Sequence, residues 1–193
     1  LIWAGKFLNL KIYLLESNLV LGRANKFFLS SCEKIFCYTK QIKNFPEKYI
    51  NKKVIIYPLV RNEFYKTKTR KINNDRFRLL IVGGSQGASI FDKNLKKSIL
   101  NISKKFSIKV IQQTHLNNLS SLKEFYAKNN VECDIFNYDK NFIDKVAVAD
   151  LCITRAGATT LAELSTLEVP FIAVPLPNSK DNHQFENANF YAE

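Results

Sequence analysis

The sequence contains no methionine, and its 193 residues begin with Leu1. No signal-peptide pattern opens the chain, so the missing Met points to a fragment without its own translational start. Tyr191-Ala192-Glu193 ends inside a helix-like stretch with no cap or breaker, so truncation is expected at both ends. The four cysteines (Cys32, Cys37, Cys133, Cys152) show no C-x-x-C spacing and no cluster with His115 or His183, which argues against a zinc centre. They are expected to be buried free thiols of a reducing compartment. No apolar run approaches the roughly 20 residues needed to cross a bilayer. Neither G-x-G-x-x-G nor G-x-x-x-x-G-K-[ST] occurs, so neither dinucleotide nor P-loop chemistry is indicated. There is no zinc finger, no aromatic RNA-binding box and no internal repeat, and nucleic acid is not an expected partner.

What is present is the composition of a globular chain, 46% hydrophobic, with a formal charge of +12 from 29 basic and 17 acidic residues. Such a surface favours polyanions or an anionic membrane face. Residues 1 to 10 look like the end of a helix. Strands are expected at Lys11–Leu15, Lys34–Tyr38 and Val54–Tyr57, with a short helix leading from Gly22 toward Ser30 and Pro58 stopping the third strand. Glu63 to Arg78 is charged, polar and without apolar periodicity, and is expected to be an inter-domain linker. A regular alternation follows. Strands are expected at Leu79–Val82, Ile108–Gln113, Val131–Phe136, Leu151–Thr154 and Phe171–Val174. Helices between them are marked by Phe91, Leu95, Ile99 and Ile102, by Leu119, Leu122 and Tyr126, by Phe142, Val146 and Ala149, and by Thr160–Leu167. A last helix starts near His183. The pattern predicts an α/β fold, a doubly wound Rossmann-like domain preceded by part of another.

Three loops follow strands of one parallel sheet, where ligands of such sheets bind. The first is Gly83-Gly84-Ser85-Gln86-Gly87-Ala88; its glycines let a backbone approach a phosphate, or merely make a tight turn. The second is Arg155-Ala156-Gly157-Ala158-Thr159-Thr160. Thr160 and Glu163 match a T-x-x-E capping box, and a carboxylate one turn into the helix can also accept a ribose diol. The third, Asp181-Asn182-His183-Gln184, offers amide and imidazole groups suited to sugar hydroxyls, or a solvated cap.

V-G-G-S-Q-G-A, A-D-L-C-I-T-R-A-G-A-T-T-L-A-E-L, V-P-F-I-A-V-P-L-P and D-N-H-Q-F-E-N-A together resemble the MurG family, from about Leu14 to Ala188. These transferases move N-acetylglucosamine from UDP-N-acetylglucosamine to the undecaprenyl-diphospho-muramoylpentapeptide of peptidoglycan synthesis, converting lipid I to lipid II with inversion. The resemblance implies the GT-B arrangement of two Rossmann-like domains, the N-terminal one only partly present. Residues 1–62 would be the end of the acceptor-side domain, 63–76 a linker, and 77–193 the UDP-sugar domain, truncated at its C-terminus. Site residues carried over by the motifs are Asn18 on the donor sugar, Arg61 at the nucleotide, and Ser85 on the diphosphate. Tyr138-Asp139 would give main-chain contacts to the uracil. Ala158, Thr159, Thr160, Leu161, Ala162 and Glu163 would hold diphosphate and ribose, with Glu163 on the diol, and Gln184 would contact the N-acetylglucosamine. Leu15 stands where the family has His, and Pro58-Leu59-Val60-Arg61 replaces its N-P-V-R. The family's G-G-T-G-G-H loop, with the His proposed as base, is absent, so the catalytic residues are unknown and the chain alone is expected to be inactive. No D-x-D pair is present, and neither metal nor cofactor is expected. The lipid-linked acceptor implies a peripheral position on the cytoplasmic side of the inner membrane. Two other readings remain open: another GT-B UDP-sugar enzyme, such as a glycolipid synthase or epimerase, and a non-catalytic nucleotide-binding fragment.

Overall fold

A computed structural model describes residues 1–69 and 76–192, and the side chains of residues 85–88 lie outside the description. In chain order the elements are α1 (Ile2–Phe7), β1 (Tyr13–Glu16), α2 (Arg23–Phe28), β2 (Lys34–Cys37), a 3-10 turn (Glu47–Lys52), β3 (Lys53–Ile55) and α3 (Asn62–Lys66). Then come β4 (Phe77–Val82), α4 (Gly84–Asn94), α5 (Lys96–Ser103), β5 (Ile108–Gln113), α6 (Leu116–Lys128), β6 (Glu132–Phe136) and α7 (Phe142–Ala147). The chain ends with β7 (Leu151–Thr154), α8 (Ala158–Thr166), β8 (Phe171–Ala173), a short 3-10 turn (Lys180–Asn182) and α9 (His183–Phe190). These group into two compact units: residues 1–59 with 156–159 and 175–193, and residues 60–155 with 160–174.

The first unit contains a parallel sheet in the order β1-β2-β3. Alternate residues of β1 and β2 are buried, as expected of strands with one face packed. Leu14, Ile35 and Cys37 meet Leu21, Leu29, Cys32 and Ile42 in its core. Burial pushes the Cys37 thiol up to about 11. Glu16, the last residue of β1, is also buried, and it accepts from Asn18 and Gly22 of the turn that follows and from Asn25 of α2.

The second unit is built on a five-stranded sheet in the order β6-β5-β4-β7-β8, with every pair parallel. Its strands are Val-, Ile- and Leu-rich runs because both faces are covered. Leu80 and Val82 face one core, with Phe64 of α3, Ile143 and Val146 of α7 and Leu164 of α8. Leu79 and Ile81 face the other, with Phe91 of α4, Ile99 of α5 and Leu122 and Tyr126 of α6. This is the doubly wound architecture that the alternation predicts. Its strand order reverses between β4 and β7, which opens a crevice beyond their carboxyl ends.

Two expectations are corrected. The stretch from Glu63 is not linker throughout: α3 lies within it, and Phe64 is buried in the second unit's core. Burying one Phe contributes about 2–3 kcal/mol, enough to hold a five-residue helix that lacks its own periodicity. Residues 70–75 of that expected linker lie outside the described residues. The T-x-x-E capping box is not a cap, because α8 begins at Ala158, and Thr160 is already its third residue. In addition, residues 175–193 group with the first unit, although the sequence pattern runs them on from the second.

Candidate functional site

In the second unit the groups of interest stand at the carboxyl ends of β4, β5, β6 and β7. After Val82 the chain turns through Gly83 to Gly84, which has φ +64° and nothing within 4 Å of where a Cβ would sit. Only glycine takes that conformation without strain, and the space beside it is open. Gly84 begins α4, so amides of a helix N-terminus face that space, an arrangement that favours an anion. Ser85 follows, and its side chain lies outside the described residues. The Gly84 amide donates to Oε1 of Gln113, at the end of β5, over 3.1 Å.

Glu163 lies midway along α8 and is buried. Its Oε1 accepts from Arg61 Nε at 2.9 Å, and the Arg61 guanidinium lies 4.9 Å from the Phe64 ring and 5.9 Å from that of Phe142. Two residues expected at the nucleotide are thus joined to each other. Leu161 and Ala162 carry buried side chains, whereas Thr159 is exposed and Thr160 half-buried. Asp139 accepts from the Asn141 amide at 2.8 Å and pairs with Lys145 at 3.3 Å. The amide first, then Lys145, hold its carboxyl below the usual carboxylate range. Burial pulls the Lys145 ammonium down, but Asp134 and Asp139 outweigh it and hold it above its ordinary value.

Arg155, directly after β7, was given no role by sequence. It is buried, stacks 5.3 Å from the Phe91 ring of α4, and donates to the Val174 carbonyl at 3.1 Å. A cavity of about 480 Å³ elsewhere in this unit is lined by Arg76, Arg78, Lys109, Glu132, Asp134 and Lys145, among others. Asp139 and Asn141, beyond the carboxyl end of β6, also line it, and its charges largely neutralise one another through Arg76–Glu132, Lys109–Glu132 and Lys145–Asp134 pairs.

In the first unit, Asn18 is fixed by both of its amide atoms. Its Nδ2 donates to Glu16 Oε1 and its Oδ1 accepts from Asn187 Nδ2, each at 3.1 Å. Asn187 is fully buried; it also accepts from the Leu19 amide at 3.0 Å and donates to the Ala156 carbonyl at 3.1 Å. A Cβ on Gly22 would meet Glu16 Oε2 at 3.1 Å, and the Gly22 amide donates to that oxygen. Asn18, Val20, Gly22, Arg23, Lys180, Asp181 and His183 line a cavity of about 380 Å³. Asp181 and Asn182 both have left-handed backbone, and Arg23 grips Asp181 at 3.0 and 3.2 Å. His183 Nδ1–H donates to the Lys180 carbonyl at 2.6 Å. Gln184 is the second residue of α9, and its Oε1 already accepts from the Leu176 amide at 2.8 Å. Ala158 is buried at the start of α8. Glu16 and Asn187 were missed as support for Asn18. Glu16 is a polar residue at the end of an apolar strand, whereas Asn187 lies in a polar stretch and only its bonds across the sequence reveal its purpose.

A model of the glycosyltransferase family 28 C-terminal domain matches residues 78–193. The chain belongs to glycosyltransferase family 28. Among curated family 28 relatives, one from Pelagibacter ubique (strain HTCC1062) is 50% identical over 187 residues, 97% of this chain and 52% of its own length. One from Rickettsia canadensis (strain McKiel) is 38% identical and covers 97% of this chain and 54% of its own. Both are named UDP-N-acetylglucosamine–N-acetylmuramyl-(pentapeptide) pyrophosphoryl-undecaprenol N-acetylglucosamine transferase. The crystal structure of MurG from Acinetobacter baumannii superposes with TM-score 0.76 at 25% identity, over 99% of this chain and 53% of that one. An Arabidopsis thaliana enzyme, UGT89C1, superposes with TM-score 0.63 at 9% identity, a likeness of fold alone. The family 28 chain spans about half the length of the curated relatives it matches. The resemblance read from its motifs is borne out.

Proposed function

We propose that this chain is the donor-binding part of an inverting N-acetylglucosaminyltransferase, which uses UDP-N-acetylglucosamine and a lipid-linked muramoyl-pentapeptide acceptor. The observation that carries the reading is the 50% identity to a relative so named, over nearly the whole chain. The geometry supports it. The open backbone at Gly84 and the amides of α4 suit a diphosphate, whose charge grows as it leaves the anomeric carbon. The acceptor hydroxyl attacks that carbon from the opposite face and loses its proton to a base that we do not assign within this chain. Glu163 takes the ribose diol through Oε2, because Arg61 occupies Oε1. Arg61 thereby orients the carboxylate. The loop at Tyr138-Asp139 meets the base.

A lipid-linked acceptor and a charge of +12 together suggest a peripheral position on the cytoplasmic face of the inner membrane. Among the described residues no helix is long and apolar enough to cross a membrane.

Calorimetric titration with UDP-N-acetylglucosamine and with NAD tests the reading. The sugar nucleotide is expected to bind and NAD not to. Glu163→Gln is expected to weaken UDP-N-acetylglucosamine by about 10-fold or more, the loss of one charge-assisted hydrogen bond. Affinity for no uridine nucleotide at all would overturn the assignment.

A further inference from the structure

Between the loop assigned to the diphosphate and the loop assigned to the base stands Gln113, a half-buried residue at the carboxyl end of β5. β5 lies between β4 and β6, so Gln113 has the exit of β4 on one side and the exit of β6 on the other. Its carboxamide uses both ends. Oε1 accepts from the Gly84 amide at 3.1 Å, and Nε2 donates to the Asn137 carbonyl at 3.3 Å. Gly84 immediately precedes Ser85, and Asn137 immediately precedes Tyr138-Asp139. Asn137 returns a bond of its own, from Nδ2 to the Thr114 carbonyl at 2.9 Å, and the Thr114 amide donates to the Phe136 carbonyl at 2.8 Å.

Gln113 is itself held from behind. The residues on either side of it, Gln112 and Thr114, are buried and both donate to the Asp92 carboxylate of α4, at 2.8 and 2.6 Å. Asn118 adds a third donor to Asp92 at 3.0 Å, and the buried Tyr126 hydroxyl donates to Gln112 Oε1 at 2.8 Å. Side chains alternate along a strand, so the bonds of 112 and 114 to one face leave 113 directed to the other. A carboxamide on such a fixed stem has little rotamer freedom left to lose.

We infer that Gln113 is a positioning residue that sets the spacing between the diphosphate loop and the base loop. Ligands that bridge both loops, nucleoside diphosphates, then bind better than the sum of their parts. This rests on the function proposed above. The physical content is preorganisation: two half-sites held at the right separation spare the ligand the cost of ordering them. No contact between Gln113 and ligand is required.

The test is titration of the 193-residue chain with UDP, and, by nuclear magnetic resonance, with uridine and with pyrophosphate separately. Gln113→Leu removes both bonds. It is expected to weaken UDP by about 10-fold while uridine and pyrophosphate each change by less than about 2-fold, since only the linkage is lost. Gln113→Met keeps the length without adding a charge and makes neither bond; it is expected to show the same selective loss for UDP, and it stands in if the Leu variant does not fold. Unchanged UDP affinity in the folded variants would overturn the inference. So would a loss for uridine or pyrophosphate as large as that for UDP, which would mark a direct contact or local unfolding instead. A wild-type chain that binds neither UDP nor its parts would overturn the proposed function first, and the inference with it.

Discussion

In the first unit, Glu16 and Asn187 spend most of their hydrogen bonds on loop segments: the amides of Asn18, Leu19 and Gly22, the side chain of Asn18, and the carbonyl of Ala156. In the second, the buried polar set of Asp92, Gln112, Thr114 and Tyr126 bonds side chain to side chain across α4, β5 and α6. The apolar cores differ in the same sense. One cluster lies in the three-stranded unit, and two clusters cover both faces of the five-stranded sheet. A thinner core leaves loops to be fixed by polar groups, whereas a two-faced core fixes elements and lets its polar network refine one edge. The first unit should therefore be sensitive to amide substitutions, and the second to lost apolar volume.

The largest effect is expected at Phe64. Phe64→Ala should destabilise the second unit by about 3–5 kcal/mol, the range for a truncated buried Phe, measured by urea denaturation. A loss below about 1 kcal/mol would return Phe64 to a linker. Next comes Asn187→Ala, which strands two buried partners, the Leu19 amide and the Ala156 carbonyl, and the half-buried Asn18; it should cost about 3 kcal/mol. Hydrogen exchange should then show the amide of Leu19 opening early, while β4 and β5 keep their protection. Equal loosening in both units would erase the contrast.

Alkali gives a smaller and graded comparison. Burial raises the Cys37 thiol to about 11 and the Cys152 thiol to about 12, from 9.0. The folded pKa exceeds the unfolded value, so this stability is present in full below pH 9.0. It is lost as pH rises through about 11 in the first unit and about 12 in the second. For Cys37 the full loss is roughly 2–3 kcal/mol. Cys37→Ala should flatten the first unit's decline above pH 9 in denaturant midpoints, and an unaltered decline would remove the thiol as its cause. The smallest effect belongs to Arg23→Ala. Its pair with Asp181 is solvent-exposed on the arginine side, so the change should stay within about 1 kcal/mol.

The fold was legible wherever burial imposes a simple period. Ile108–Gln113 and Leu151–Thr154 match their expected strands to the residue, because they are buried on both faces and end at polar or small residues. α3 was not legible, since a five-residue helix with one buried side chain has no period to detect. The capping box misled because T-x-x-E fits a helix interior as well as its start, and propensity extended α8 back to Ala158. Of the site, the loop positions were legible and the couplings were not. Arg61 meets Glu163 across 102 residues of sequence, and Asn187 meets Asn18 across 169, separations at which local pattern carries no signal.

The division of the chain has a consequence in time. The first unit draws on residues 1–59, then 156–159, then 175–193, with the second unit's residues between them. The bonds of Asn187 to Leu19 and Asn18 close only after residue 187 has been made. The second unit, whose residues end at Val174, has its full complement earlier on the ribosome. β1, β2 and β3 close their own core within residues 2–49, and only the turn at Asn18 and Leu19 waits for Asn187. Contacts of such long sequence separation form slowly, so the turn that carries Asn18 takes its final shape after the sheet it follows.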